Sequence, residues 1–248
     1  MDLGLKGKTA LVTGGSSGIG FAIAKLLHDE GASVTLVSRS QEKLEKASRE
    51  IGGAKFFAVD LKSEAEIRKM VSEVLKSSSV DILVNNSGGP ASGTPMEIPL
   101  ASWDDGYHSL LRSVLLLTQL LTPGMRQRKW GRVLTITSTS SREIIPLLPV
   151  SSTFRAGLTA LTKEISKEVG RDGVLINNIL PGPTNTERLQ ELAVKSPDFY
   201  QGMVEASALG RIAAPEEIAR VAVFLCSSAN SYITGTDILA DGGITRAL

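Results

Sequence analysis

The run Thr13-Gly14-Gly15-Ser16-Ser17-Gly18-Ile19-Gly20 constrains this chain more than any other stretch, because of what stands on either side of it. Before it, residues 9–12 form a short apolar run of strand type. After it, Ile19, Ala22, Ile23, Leu26 and Leu27 recur at helical spacing until Gly31 ends the helix. Gly14 and Gly18 permit backbone conformations and close approaches that a Cβ would block, and Gly20 lets the helix pack tightly on the strand. The helix opens with N–H groups that its own turns cannot satisfy, which makes its N-terminus a seat for pyrophosphate. Glycines alone say little, but a strand, a glycine turn and a helix in that order form a dinucleotide-binding signature.

The rest of the chain continues the alternation. Strands are expected at residues 33–37, 55–59, 80–84, 132–137, 174–179 and 237–240. Helices are expected near 42–50 and 63–77, from about 102, and at 151–169. Strands that alternate with helices require a parallel sheet covered on both faces, so the fold class is α/β: a Rossmann-type, doubly wound, seven-stranded parallel sheet. No repeat, charge run or linker divides the chain, and residues 1–248 read as one domain. Residues 184–214 are mixed in polarity and carry Pro197, Gly202 and Gly210; they form either a substrate lid beyond a strand's carboxyl end or an ordinary surface helical hairpin.

Charge excludes several function classes. With 27 Lys and Arg against 26 Asp and Glu, the formal charge of +1 offers no bulk attraction to nucleic acid or to an anionic membrane. The apolar stretch at residues 110–121 carries Arg112 and Gln119 and is too short to span a bilayer. The lone Cys226 cannot form an internal disulfide, and no secretory leader opens the chain, so a cytoplasmic location is expected. Two separated histidines and one cysteine make no zinc-type spacing, and no metal is expected.

From the glycine turn onward the sequence resembles the short-chain dehydrogenase/reductase family, whose pattern is TGxxxGxG, and the resemblance covers nearly the full chain. Asn85-Asn86-Ser87-Gly88 resembles the family's NNAG segment with Ser87 in place of alanine. Asp60-Leu61 resembles its adenine-binding pair, and Pro181-Gly182-Pro183-Thr184-Asn185-Thr186 its PGxxxT turn, which contacts nicotinamide and phosphates. Gly235 and Asp241-Gly242-Gly243 resemble its last strand. The resemblance implies that Gly14, Ser16, Ser17, Gly18, Ile19, Asp60, Leu61, Asn86, Gly88, Pro181, Gly182, Thr184 and Thr186 hold the cofactor. At the end of the second strand, where an acid would bind the adenosine ribose, stand Ser38 and Arg39. With no carboxylate to repel a 2′-phosphate and a guanidinium able to grip it, NADP(H) is favoured, with Lys43 able to assist; a surface ion pair is the other reading of Arg39.

The family's catalytic pattern implies an Asn in the long helix, a Ser after the fifth strand and Tyr-x-x-x-Lys on the next helix. Here these positions read Leu110, Ser138, Ser151 and Arg155; Gly157, Leu158, Ala160, Leu161 and Thr162 continue the helix in step. A serine hydroxyl is far less acidic than a phenol, so Ser151 does not inherit the proton-donor role, while Arg155 can still hold ribose hydroxyls or supply positive potential. Leu110 removes the side chain that in the family organises a helix kink and a relay water. Ser138 either donates to a substrate oxygen or simply ends its strand. Substitute acids would be Tyr107, three residues before Leu110 on a shared helix face, or Glu143; Arg142 could meet an anionic substrate, and His28 and His108 lie off that face. The expectation is a carbonyl or alcohol oxidoreductase similar to the 3-oxoacyl-[acyl-carrier-protein] reductase branch, with a cofactor-binding protein without turnover as its rival and a hydride-free isomerisation or elimination a third reading. The resemblance also implies a homotetramer or homodimer paired through helices 102–127 and 151–169.

Overall fold

The computed structural model describes residues 2–247. Seven parallel strands, β1 (Thr9–Thr13), β2 (Ser33–Ser38), β3 (Lys55–Ala58), β4 (Ile82–Asn85), β5 (Gly131–Ile136), β6 (Val174–Pro181) and β7 (Asp237–Ala240), pair in the order β3-β2-β1-β4-β5-β6-β7. The sequence places each of them within two residues at either end. The order reverses between β1 and β4, which register Ala10 against Ile82 and Val12 against Val84. That reversal opens a crevice at the strands' carboxyl ends.

Both faces of the central strands are dry, as parallel pairing demands, while the edge strands β3 and β7 are partly exposed. On β1, Ala10 and Val12 point into one core and Leu11 into the other; on β4, Ile82 and Val84 oppose Leu83 in the same way. Helices α1 (Gly18–Asp29) and α9 (Pro215–Cys226) cover the first face through Ile23, Leu27, Ile218 and Val223. Helix α3 (Glu64–Ser77) and the long α5 (Ser113–Gln127) cover the second through Ile67, Met70, Leu117 and Leu121. Helix α2 (Gln41–Glu50) joins β2 to β3, and its Leu44 and Ala47 lie in the first core. Helix α6 (Pro149–Val169) delivers Val169 to the second.

One departure from the sequence reading matters for the site. The helix expected from about residue 102 begins with α4 (Leu100–Gly106), then widens into a π-helical turn (Tyr107–Arg112) before α5. Leu110 lies inside that turn, so the distortion persists without a polar residue there. Ser109 and Ser113 donate their hydroxyls to the carbonyls four residues back, Asp105 O at 2.7 Å and Ser109 O at 2.8 Å, as backbone freed from a regular ladder requires. The π turn also breaks the shared face of Tyr107 and Leu110. Leu110 is buried, whereas Tyr107 is 41% exposed and packs beside Phe154. Residues 184–214, read as either a lid or a surface helical hairpin, form two short helices, α7 (Glu187–Lys195) and α8 (Pro197–Ala206), with no fully buried residue in either, which is the form of a surface hairpin.

At the opposite end of the sheet, Arg132 is only 6% exposed and has no acidic partner among the described residues. Its guanidinium donates to Ser227 O (3.1 Å), Gly131 O (2.8 Å) and Asn230 O (3.0 Å) and stacks on Trp130. Burial lowers its pKa and also drives the neighbouring Cys226 thiol up to about 12. Replacing Arg132 with Met strands three buried carbonyls and is expected to cost about 2–4 kcal/mol in urea denaturation; a loss below about 0.5 kcal/mol would show that the carbonyls find other partners.

Candidate functional site

The crevice between β1 and β4 is built on one hydroxyl. Thr13 Oγ1 donates to Asn86 O at 2.8 Å and accepts from Asn86 N at 2.8 Å, while Asn86 Nδ2 donates to Gly14 O at 3.2 Å. The glycine turn is thereby locked to the end of β4. Gly14 and Gly18 take φ of +57° and +55°, and a Cβ at Gly20 would overlap the Gly14 carbonyl. Helix α1 starts immediately beyond, and the side chain of its N-cap residue Ser17 makes no capping bond, so the N–H groups of the first turn face the crevice uncapped. Thr186, the N-cap of α7, brings its methyl 3.1 Å from where a Gly18 Cβ would lie. Gly14, Ser16, Ser17, Gly18, Ile19, Asn86 and Thr186 therefore stand together.

The end of β2 flanks this turn. Ser38 Oγ is buried without a hydrogen-bond partner, and Arg39 is exposed. Among the described residues Arg39 has no ion-pair partner, so the surface pair weighed for it is not formed. Lys43 is spoken for. Its ammonium meets Glu187 at 2.6 Å, which ties α2 to α7 across the crevice and raises the lysine pKa, chiefly through that hydrogen bond. Asp60 accepts from Lys62 N at 3.0 Å, and Leu61 lines the hollow beside Asn86. Gly88 has open space where a Cβ would sit. Gly182 packs against Asp241, and Pro181 closes β6. Thr184 is buried and donates its hydroxyl to Gly182 O at 3.0 Å, so that side chain braces the turn.

Beyond the end of β5 the hydroxyls cluster. Ser138 Oγ accepts from Ser140 N at 3.1 Å, capping a single 3-10 turn (Thr139–Ser141). Ser140 Oγ and Ser151 Oγ lie 3.1 Å apart, both buried. Ser140 is absent from the sequence reading, since nothing in its spacing distinguishes it from the serines around it. Ser138 alone of the three is partly exposed, and its hydroxyl proton is committed to no partner.

Arg155, one helical turn after Ser151, points beneath them. It is 6% exposed, and Nη1 donates to Ile136 O at 2.7 Å while Nε has no partner. Burial is the main cause that lowers its pKa to about 10, and the nearby Arg188 adds repulsion, yet it stays protonated at neutral pH. Asn85 is also buried with both side-chain polar atoms unpaired. The two flank a hollow lined by Ser109, Leu110, Ser113 and Ile136, with a volume of about 10 Å³, room for a single water. Native interiors rarely leave such groups unpaired, and three of them at one strand edge mark a place where a polar ligand or water completes the bonding.

Other expected candidates fall away. Arg142 pairs with Asp237 at 3.2 Å, and the Glu143 carboxylate accepts from Arg246 N at 2.8 Å. Tyr107 and His108 do not line the hollow, and His28 is on the surface. Among the described residues there is no metal-type cluster, and no helix is long and apolar enough to cross a membrane. Arg188, which the sequence reading passes over inside the 184–214 segment, lies on the crevice instead, its guanidinium against Gly89.

Fold and site together define a doubly wound α/β protein whose crevice presents a glycine turn, an uncapped helix and unpaired guanidinium groups. The family model described as enoyl-(acyl carrier protein) reductase, a short-chain dehydrogenase model, matches residues 14–245, and the chain belongs to the short-chain dehydrogenase/reductase family. It is 35% identical to the 3-oxoacyl-[acyl-carrier-protein] reductase of Aquifex aeolicus, over 98% of this chain and 100% of that one. It is 32% identical to the 7alpha-hydroxysteroid dehydrogenase of Escherichia coli, over 100% and 98%. Among solved structures, L-sorbose reductase from Gluconobacter frateurii complexed with NADPH and L-sorbose superposes with a TM-score of 0.92 at 33% identity, over the whole of both chains. A 3-oxoacyl (acyl-carrier-protein) reductase from Agrobacterium tumefaciens with NADP bound gives 0.92 at 31%, over 97% of this chain and 95% of that one.

Arg155 sets stability against ligand binding. Its folded pKa is depressed, so the charged form is penalised at every pH below about 10 and the penalty lifts as pH rises through that value. Replacing Arg155 with Met should therefore stabilise the ligand-free protein at neutral pH by about 1–3 kcal/mol. That gain should shrink above the pKa, while affinity for a dinucleotide falls. Calorimetric melts across pH, with and without ligand, check this; a destabilised variant at neutral pH would mean that the bond to Ile136 outweighs the buried charge.

Proposed function

We propose that this chain is an NADP(H)-dependent oxidoreductase that interconverts a small carbonyl compound and its alcohol on a modified catalytic site. The observation that carries the cofactor choice is the end of β2, where a buried unpaired Ser38 hydroxyl and an unpaired Arg39 stand beside the glycine turn with no carboxylate. A 2′-phosphate supplies what both lack. The NADPH named with the Gluconobacter enzyme and the NADP named with the Agrobacterium enzyme, at 33% and 31% identity over nearly whole chains, support the same choice.

When bound, the cofactor gives or takes hydride; everything else falls to the chain. The N-terminus of α1, with the Gly14–Gly18 turn and Ser16, Ser17 and Ile19, seats pyrophosphate. Asp60 and Leu61 border the adenine, and Gly88, Pro181, Gly182, Thr184 and Thr186 shape the nicotinamide side. Arg155 and Asn85, each with unpaired buried donors, hold ribose hydroxyls from below. Ser138 offers its free proton to the substrate oxygen. Ser151 and Ser140 share a hydrogen bond and relay polarity without acting as a strong acid.

Magnitudes show what this site retains. Loss of a matched general acid costs ~10²–10⁴-fold, whereas orienting the reactants is worth roughly 7–11 kcal/mol, so a slow oxidoreductase survives the change at the tyrosine and lysine positions. In the assembly we propose, a homodimer or homotetramer, half-buried Leu111, Leu115 and Phe154 on α5, α6 and the π turn pack between subunits.

A second reading has its own observation: the buried Ser140–Ser151 pair is already satisfied, which suits a cofactor-binding protein without turnover. The variant carrying Ser151→Tyr and Arg155→Lys separates the two. Under the oxidoreductase reading, carbonyl-dependent loss of NADPH absorbance rises by ~10²-fold or more over the parent, since a matched general acid is restored. A variant that folds and binds NADPH yet gains nothing would favour the protein without turnover.

A further inference from the structure

We infer that the substrate is itself an anion, a carbonyl compound carrying a carboxylate, and that Arg188 binds that carboxylate at the mouth of the crevice. The inference rests on the oxidoreductase reading and extends it to the substrate class.

Arg188 stands on the first turn of α7, two residues beyond Thr186, and crosses to the turn after β4. A Cβ at Gly89 would overlap its guanidinium, so the bare backbone there is what allows the side chain to lie flat against the turn. Its one protein hydrogen bond is a long one, from Nη2 to Pro90 O at 3.4 Å. That leaves most of a planar five-donor fork unused, at a geometry suited to two carboxylate oxygens.

No ion pair among the described residues includes Arg188: Glu187 beside it pairs with Lys43, and Glu191, one helical turn on, is exposed without an ion-pair partner. What faces Arg188 across the crevice is another cation, the buried Arg155, whose Nε is unpaired and on which Arg188 acts by repulsion. Two guanidinium groups in one crevice, with no acid between them among the described residues, create a positive field that an anionic ligand relieves.

The cofactor's own phosphates are the competing source of negative charge, but they already have seats. The uncapped start of α1 serves pyrophosphate at the Gly18 side, where Thr186 sits, and Arg39 stands at the end of β2. Arg188 lies on the other side, against Gly89 and Pro90, the turn that continues from Asn85 and Asn86 toward the Arg155 hollow. A carboxylate held there must have its carbonyl close by, which points to short oxo acids. With the cofactor bound, the chemistry it supplies would be hydride for the carbonyl carbon, and water would supply the proton, so that oxo acid, reduced cofactor and water would give hydroxy acid, oxidised cofactor and hydroxide.

The test compares 2-oxobutanoate and acetoacetate with neutral ketones of the same size, titrated by ligand-observed NMR against the full-length protein, both alone and loaded with NADPH. The oxo acids should bind about tenfold more tightly than the ketones. Arg188→Met should erase the difference, Arg188→Lys should restore part of it, and NADPH affinity should stay within about twofold in both. Equal binding of acids and ketones to the parent overturns the inference. So does an Arg188→Met variant that loses NADPH affinity while keeping the acid preference, since the guanidinium would then belong to the cofactor's phosphates. If the parent fails to bind NADPH, the oxidoreductase reading falls by itself, and titration of the unloaded protein still decides whether Arg188 binds a carboxylate.

Discussion

The Thr13 hydroxyl, donating to one backbone group of Asn86 and accepting from another, is the contact on which the remainder of the crevice depends. It fixes the turn after β1 to the turn after β4 at the one place where the sheet order reverses. Gly14 can then take its left-handed conformation beneath the Asn86 amide, and α1 begins with its N–H groups aimed into the gap. The rest of the site hangs from this frame. The end of β2 supplies Ser38 and Arg39, β4 delivers Asn85, and α6 sends Arg155 under the sheet edge to the Ile136 carbonyl.

Guanidinium groups in this molecule meet two kinds of surroundings. Arg211 pairs with Glu217, where the guanidinium and the Ala214 N–H hold the carboxyl at about 2. In the crevice, Arg39, Arg155 and Arg188 have no acidic partner among the described residues, and Arg155 is buried at a cost to stability. Active sites commonly keep such unsatisfied groups because a ligand satisfies them. The same crevice has two further local features. Leu110 sits in a π turn held by Ser109 and Ser113, and Ser151 shares its hydroxyl with Ser140.

Strands were legible because burial leaves the central ones little option but short apolar, β-branched runs; their ends shifted by one or two residues, as at Val80, which packs in the second core without joining the ladder. The conformation of the glycine turn was legible because it depends on its own backbone, and the position of Ser38 and Arg39 because it follows from the end of β2. What the sequence did not show depends on contacts across long separations. Arg188 gains meaning only when the fold sets it beside Gly89, Lys43 is diverted by Glu187 on a distant helix, and the π turn that separates Tyr107 from Leu110 leaves no periodic trace.

The central claim, that the crevice at the β1–β4 reversal is a dinucleotide site selective for a 2′-phosphate, is tested most directly by calorimetric titration of the protein with NADPH and with NADH. NADPH should bind at least about tenfold more tightly, the contribution of one charge-assisted bidentate contact, and the preference should weaken as salt is raised. Equal affinity for the two, or binding of neither, would contradict it.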